Sequence, residues 1–348
     1  MAGPIVIAHR GASGYVPEHT LAAYFIAMQY GADFIEPDLV MTRDGALIAR
    51  HENEISGTTD VAAHPEFASR RTRRTVDGEI LEGWFSEDFT LAEIKTLRAR
   101  ERIPALRPGN ARFDGLFEVP TLEEILLLMQ GFDAQRATRA RALKEPTPAP
   151  IGIYPETKHP THFAARGLQM EPALIGVLEA HGYRGRAAPV WLQSFEPGSL
   201  KALARLSDLP RVQLIDAAGA PFDLRQAGDA RTFAQFVTPQ GLAEVARYAQ
   251  AIGPEKGLII PRRADESLGA PTALVAHAHA AGLKVHPWTF RAENHFLPRE
   301  LRRGPEPSDR GDLVAELLAF LRAGVDGFFT DQADIGVAAR AAWRATAP

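Results

Sequence analysis

The sequence contains no cysteine. Disulfides and thiolate metal sites are therefore excluded, and either a reducing or an oxidising compartment is allowed. No run approaches the roughly 18 apolar residues of a membrane span, so stable membrane insertion is not expected. No charge of one sign dominates: 39 Lys and Arg stand against 43 Asp and Glu, a net of −4, and nothing suggests a basic face for nucleic acid. No internal repeat is evident. The N-terminal MAGPIVIA has neither the basic segment nor the apolar length of a signal peptide. As written the chain reads as cytoplasmic, or as periplasmic if a leader has been removed.

What is present is an ordinary globular composition: 348 residues, 45% hydrophobic and 24% charged. One α/β barrel of about 250 residues with insertions fits this length, as would two smaller domains. Informative residues crowd into Ile5–Glu52. His9-Arg10-Gly11 follows a short apolar run, Glu36 and Asp38 end a second, and His51 ends a third. Side chains two apart share a strand face, so Glu36 and Asp38 point the same way if their run is a strand.

Helix and turn signals order the rest. Thr20 can cap a helix on which Leu21, Tyr24, Phe25 and Met28 share a face, with Gly31 stopping it. Pro37 suggests that the strand Phe34–Leu39 ends or is locally unpaired there. Arg43-Asp44-Gly45 is a hairpin signal. A directly returning hairpin conflicts with a third parallel strand at Leu47–Arg50, so Val40–Thr42 is read as running back outside the barrel. Residues 53–115 read as an insertion, with a capping box at Thr90–Glu93 and an arginine run taken as solvated surface. A second capping box at Thr121 opens a helix to Gln130, and Ala134–Pro150 reads as an exposed loop. Further strands are expected at Ile151–Tyr154, Val190–Gln193, Arg211–Ile215, Lys284–Trp288 and Phe328–Thr330. A helix is expected from Pro239 to Gln250, one from Pro271 to Ala281 and one from Asp312 to Arg322. Gly257–Ile260 makes nine strand candidates for eight places and is taken as peripheral. The expected architecture is a distorted TIM (β/α)8 barrel, residues 1–52 and 116–348, with an insertion (cap) subdomain, 53–115, after the third strand.

The residue types suggest a chemistry. Glu36, Asp38 and Glu156 offer carboxylate oxygens from strand ends, which suit a hard divalent ion, Ca2+ or Mg2+. The plainer reading pairs these acids with Arg10 and Lys158. His9 and His51 titrate near neutral pH and can act as general acid and base, in either assignment. Arg10 and Lys158 can neutralise phosphoryl oxygens. Gln193, Phe195 and Trp288 stand at strand ends as pocket lining or as core. His277 and His279 sit two apart on a helix and do not face each other. His159 and His162 read as loop residues and His286 as packing, while His19 helps fix the first loop.

HRG, PEHT, GADFIEPD, TRDG, YPETK, LQSF, VHPWTFR and GVDGFFTD, in this order, resemble the glycerophosphodiester phosphodiesterases across nearly the whole chain. The likeness is greatest to a longer branch that includes secreted, calcium-using bacterial enzymes. Much of the wider family has Asn where His19 stands and Asp where Glu52 stands. The resemblance implies a barrel similar to that of phosphatidylinositol-specific phospholipases C, with metal ligands at Glu36, Asp38 and Glu156, Ca2+ favoured. It implies catalytic positions at His9 and His51, an aromatic glycerol wall at Trp288, and a closing Thr330-Asp331 motif that reads as structural. The expected activity is hydrolysis of glycerophosphocholine or glycerophosphoethanolamine to glycerol 3-phosphate and an alcohol. One alternative is a phospholipase on intact or lysophospholipids, with Phe67, Trp84, Phe85 and Phe89 as an apolar rim. Another is a non-catalytic barrel that binds such diesters; the presence of both His9 and His51 speaks against it.

Overall fold

The computed structural model describes residues 3–346. Eight parallel strand positions follow in chain order. They are Ile5–His9; Phe34–Glu36 continued by Asp38–Met41; Gly152–Ile153 continued by Glu156–Thr157; Leu192–Ser194; Arg211–Ile215; Ala251–Pro254; Lys284–Val285; and Gly327–Thr330. Consecutive positions pair from the first to the seventh, and the eighth pairs with the first at Ile5–Gly327; among the described residues no ladder joins the seventh to the eighth. The ladders form two separate sheets, which share the second and third positions and are linked further by the isolated parallel bridges Ile153–Val190 and Phe290–Thr330. This is the TIM-barrel order, with helices between successive strands.

Strands covered on both faces need apolar side chains on both. Ile7, Tyr154, Val212, Ala251 and Phe329 fill the inside of the ring, while Val6, Ala8 and Phe328 pack outward into the main core. Alternation then carries chemistry to the strand ends. Two residues beyond Ile7 is His9, beyond Phe34 is Glu36, beyond Tyr154 is Glu156, and beyond Phe329 is Asp331. The inward file thus changes from hydrocarbon to charge at the C-terminal mouth, where barrel loops converge.

Several helices begin where expected. Thr20 accepts from the Ala23 N–H and starts Leu21–Gln29. Thr90 and Thr121 both form reciprocal capping boxes with Glu93 and Glu124. The buried face of the first helix is Ala23, Tyr24, Ala27 and Met28, however, and Leu21 and Phe25 remain exposed. The helix opened by Thr121 runs on through Leu122–Leu143, taking in most of the stretch expected to be a loop. It stops at Lys144, in the left-handed region, just before the prolines. The helix after Thr238 is only Pro239–Val245, because Ala251–Pro254 is the sixth barrel strand. Gly257–Ile260 is not a strand; Lys256–Leu258 is a 3-10 turn.

The largest departure concerns the hairpin. Asp38–Met41 pairs antiparallel with Leu47–Ala49 directly, Leu39 with Ala49 and Met41 with Leu47. The second barrel strand kinks at Pro37 and becomes the hairpin's first arm. Leu47–Ala49 therefore lies outside the ring of parallel strands and is not its third member. Residues 53–115 leave after the second barrel strand, and the strand that carries Glu156 moves from fourth place to third.

Within 53–115 a small hairpin, Thr72–Val76 with Glu79–Gly83, turns at Asp77-Gly78, both at positive φ. Phe67, Trp84, Phe85 and Phe89 are buried and pack against Arg70, Arg71 and Arg74. They form no exposed apolar rim. The arginine run is largely paired, Arg70 with Glu93 and Arg74 with Glu87 and Asp88.

Candidate active site

Glu36, Asp38 and Glu156 present carboxylate oxygens that all lie within 4.8 Å of one another. Strand pairing explains the meeting. Glu36 is the ladder partner of His9, and Glu156 is the partner of both Asp38 and Gln193. Each acid is held from one side. The Arg10 backbone N–H and the Gln193 amide donate to Glu36 at 2.9 and 3.0 Å. His19 Nε2 and Arg10 Nε stand 3.0 and 3.1 Å from one oxygen of Asp38. The Lys158 ammonium is 3.0 Å from Glu156.

These positive partners do not balance the cluster. Burial, then the charge of Asp38, pushes the Glu36 carboxyl well above the usual range. Burial pushes Glu156 up to about 8, against the pull of Lys158. Asp38 goes the other way: burial opposes it, but Arg10 and Lys158 hold it low. Gln193 Oε1, buried beside Glu36, has no hydrogen-bond partner. Three converging carboxylates, two of which resist ionisation, with an orphaned carbonyl oxygen at their edge, are a donor set for a hard cation.

His9 Nδ1 lies 2.6 Å from Asp331 Oδ1. The other carboxylate oxygen accepts from Arg107 at 2.5 Å and Arg291 at 2.8 Å. Because Asp331 accepts, Nδ1 carries the proton and Nε2 is left with its lone pair. Burial first, then neighbouring Arg10, lowers the imidazole to about 4, so His9 is neutral near pH 7. Arg107 comes from residues 53–115 and also pairs with Glu293 at 2.7 Å, tying that stretch to the barrel.

His51 arrives by the hairpin register. Ala49 faces Leu39, so continuing that register by two residues brings His51 opposite Pro37, between Glu36 and Asp38. Its Nε2 is 3.1 Å from the Lys158 ammonium. Its Nδ1 contacts the Glu52 carboxylate, with Arg102 close by at 2.8 Å. Burial, then Arg10 and Lys158, holds this imidazole well below its ordinary value.

A cavity of about 340 Å³ opens onto these groups. His9, Arg10, Glu36, His51, Glu156, Lys158, Gln193, Phe195 and Trp288 all line it, with Asp38 behind. Trp288 and Phe195 meet edge to face at 5.7 Å, and Lys158 sits 5.6 Å from the Phe195 ring. Sequence reasoning did not assign Glu18, which pairs with Arg10 at 3.0 Å, nor Arg107, Arg291 and Asp216. Asp331, taken as a structural motif, holds His9. Its two-residue step beyond Phe329 on the last strand was the available signal.

Three carboxylates, two imidazoles and two buried cations at the mouth of a parallel barrel define a hydrolase of phosphoric diesters. The comparisons give the family. The model of the glycerophosphoryl diester phosphodiesterase family matches residues 9–335, and the chain belongs to that family. A glycerophosphodiester phosphodiesterase of Arabidopsis thaliana is 35% identical over 94% of this chain and 83% of its own. One from Bacillus subtilis is 31% identical over 95% and 84%. An Oleispira antarctica phosphodiesterase, solved with the product sn-glycerol-3-phosphate, shares the fold at a TM-score of 0.62 and 19% identity, covering 97% of this chain and 96% of that one. A glycerophosphodiester phosphodiesterase from Agrobacterium tumefaciens gives 0.55 at 19% identity, over 96% and 99%.

Proposed function

We propose that the chain hydrolyses small glycerophosphodiesters, such as glycerophosphocholine and glycerophosphoethanolamine, to sn-glycerol 3-phosphate and an alcohol. Glu36, Asp38 and Glu156 would hold a divalent cation, Ca2+ or Mg2+, which when bound supplies Lewis acidity and a template for the phosphoryl group. The observation that carries the proposal is that both imidazoles open onto one cavity beside that carboxylate cluster.

The two histidines divide the proton transfers. His9 has Nδ1 committed to Asp331, so its Nε2 takes the proton of the attacking hydroxyl. The Glu52 carboxylate on Nδ1 of His51 pulls it toward the charged form, against the larger opposing effect of burial, Arg10 and Lys158, which a bound anionic phosphodiester would offset. His51 gives a proton to the alcohol oxygen as the phosphorus–oxygen bond breaks. Arg10 and Lys158 neutralise the phosphoryl oxygens. Trp288 and Phe195 offer an apolar wall to the glycerol carbons.

Residues 1–52 and 116–348 act as the catalytic barrel and 53–115 as a cap beside its mouth. Among the described residues no helix is long and apolar enough to cross a membrane. The aromatic residues of the cap are buried, so nothing there favours intact lipid as substrate. The deciding experiment is release of sn-glycerol 3-phosphate from the two diesters, with and without chelator, beside bilayer phospholipid. Comparable cleavage of the bilayer would replace this reading with a phospholipase.

A further inference from the structure

A second cavity, of about 210 Å³, adjoins the first and shares Glu156, Lys158, Phe195 and Asp216 with it. It lies between the tip of the cap hairpin and the loops after the third, fourth and fifth barrel strands. Asp77 supplies the tip, His159 and Glu196 follow their strands, and Phe222 closes the far side. The tip is docked there: the Arg225 guanidinium donates to the Asp77 backbone carbonyl at 2.7 Å.

The polar atoms of this cavity are incompletely satisfied. Glu196 is 3% exposed; its Oε2 accepts from Thr161, while Oε1 has no hydrogen-bond partner. Asp77 Oδ2 accepts from His159 at 2.6 Å, while Oδ1 has none. Buried acceptors left unpaired are costly, and they mark where a donor belongs. Burial pushes the Glu196 carboxyl up to about 8, a direction that a nearby cation would reverse. Asp216 adds a third carboxylate at the junction of the two cavities, and Phe195 and Phe222 add ring faces.

We infer that this cavity receives the leaving alcohol of the substrate and is built for a primary ammonium headgroup, held by Glu196 and Asp77 with Asp216 at its entrance. The inference rests on the reaction proposed above. Lys158 stands between the cavities, so a diester with its phosphoryl group at Lys158 and His51 can extend its alcohol past Phe195 into the second. Three features select the ammonium. Of the orphaned atoms, His159 Nε2 is turned toward Glu52 at 3.6 Å, while Glu196 Oε1 and Asp77 Oδ1 are acceptors, which call for N–H or O–H donors. Their carboxylates favour a positive donor over a neutral hydroxyl. A quaternary ammonium has no hydrogen to give and can use only the rings.

The test compares kcat/KM for glycerophosphoethanolamine, glycerophosphocholine and glycerophosphoglycerol, using the metal-supplemented full chain. The wild type should favour the ethanolamine diester over both others. In Glu196→Gln and Asp77→Asn the ratio of ethanolamine to glycerol diester should fall at least about tenfold, which corresponds to about 1.4 kcal/mol. A ratio within one preparation is insensitive to its folded fraction. Unchanged ratios in both variants, or a wild type that prefers choline, would overturn the subsite. No cleavage of any diester by the wild type would instead overturn the reaction itself.

Discussion

His9 and Asp331 lie 2.6 Å apart, Nδ1 to Oδ1, although 322 residues separate them in the chain. They stand at the ends of the first and last barrel strands, which pair with each other. The contact sets the tautomer of the imidazole that opens onto the cavity, and Arg107 and Arg291 set the carboxylate in turn.

Asp331→Asn should therefore cost activity without emptying the metal site. An amide can turn its N–H toward Nδ1 and shift the proton to Nε2, the wrong tautomer for a base. We expect kcat to fall by ~10²-fold or more, within the range for general acid–base catalysis. Because Arg107 and Arg291 lose their buried counter-charge, the melting temperature should fall as well. A variant with near-normal kcat would show that Asp331 only packs.

The carboxylate cluster gives a second expectation. Chelation should abolish activity and lower the melting temperature, and Ca2+ or Mg2+ should restore both, since a ligand bound only by the folded state stabilises it. Glu36→Gln and Glu156→Gln should each weaken metal binding, measured by calorimetry. Full activity in a verified metal-free sample would contradict the assignment.

His19 bonds Asp38 through Nε2 at 3.0 Å and Tyr24 through Nδ1 at 2.7 Å, both fully buried. It orients a candidate ligand without lining the cavity itself. Loss of such a partner typically costs about 10–100-fold in metal affinity. His19→Ala should show that loss in a metal titration, with kcat at saturating metal much less affected. Unchanged affinity would leave His19 a loop residue only.

The sequence made much of this legible, for reasons specific to each element. Thr20, Thr90 and Thr121 announce their helices through local hydrogen bonds that need no tertiary context. The inward file Ile7–His9 and Phe329–Asp331 is a period-two pattern. Of the residues the family resemblance singles out, His9, Glu36, His51, Glu156 and Trp288 line one cavity, with Asp38 behind it. What failed was non-local. The turn at Gly45 signalled a hairpin correctly, and only the demand for a third parallel strand at Leu47 argued it away. Ala251–Pro254, a short run beside a helix signal, has no periodicity of its own and is fixed as a strand by its neighbours. Arg107 reaches Asp331 from a segment with no pattern at all.

His286 offers a test of burial away from the metal ligands. It accepts from the Tyr154 hydroxyl at 2.8 Å, and burial, opposed by the charge of Asp326 and aided slightly by that of Lys284, lowers it to about 4. A histidine held neutral in the fold leaves the unfolded chain binding the extra proton below pH 6.5. Stability from this group is thus complete above about 6.5 and falls as the pH drops toward 4. The effect is on the order of 3 kcal/mol at full extent. Denaturant unfolding of His286→Asn should lose about one proton of pH dependence across that window. An unaltered slope would mean that His286 titrates normally.

The division of labour between the histidines is tested most directly by leaving-group dependence. His9→Ala and His51→Ala should each lower kcat on glycerophosphocholine by ~10²–10⁴-fold. His181→Ala, whose side chain contacts Glu123 away from the mouth, serves as the control and should change little. The decisive measurement is kcat of the two variants on a glycerophosphodiester with a nitrophenol leaving group, which departs with little need of a proton. The account predicts that His51→Ala is largely restored on this substrate while His9→Ala remains impaired. Equal impairment of both on the nitrophenyl diester, or near-normal kcat of both on glycerophosphocholine, would contradict it.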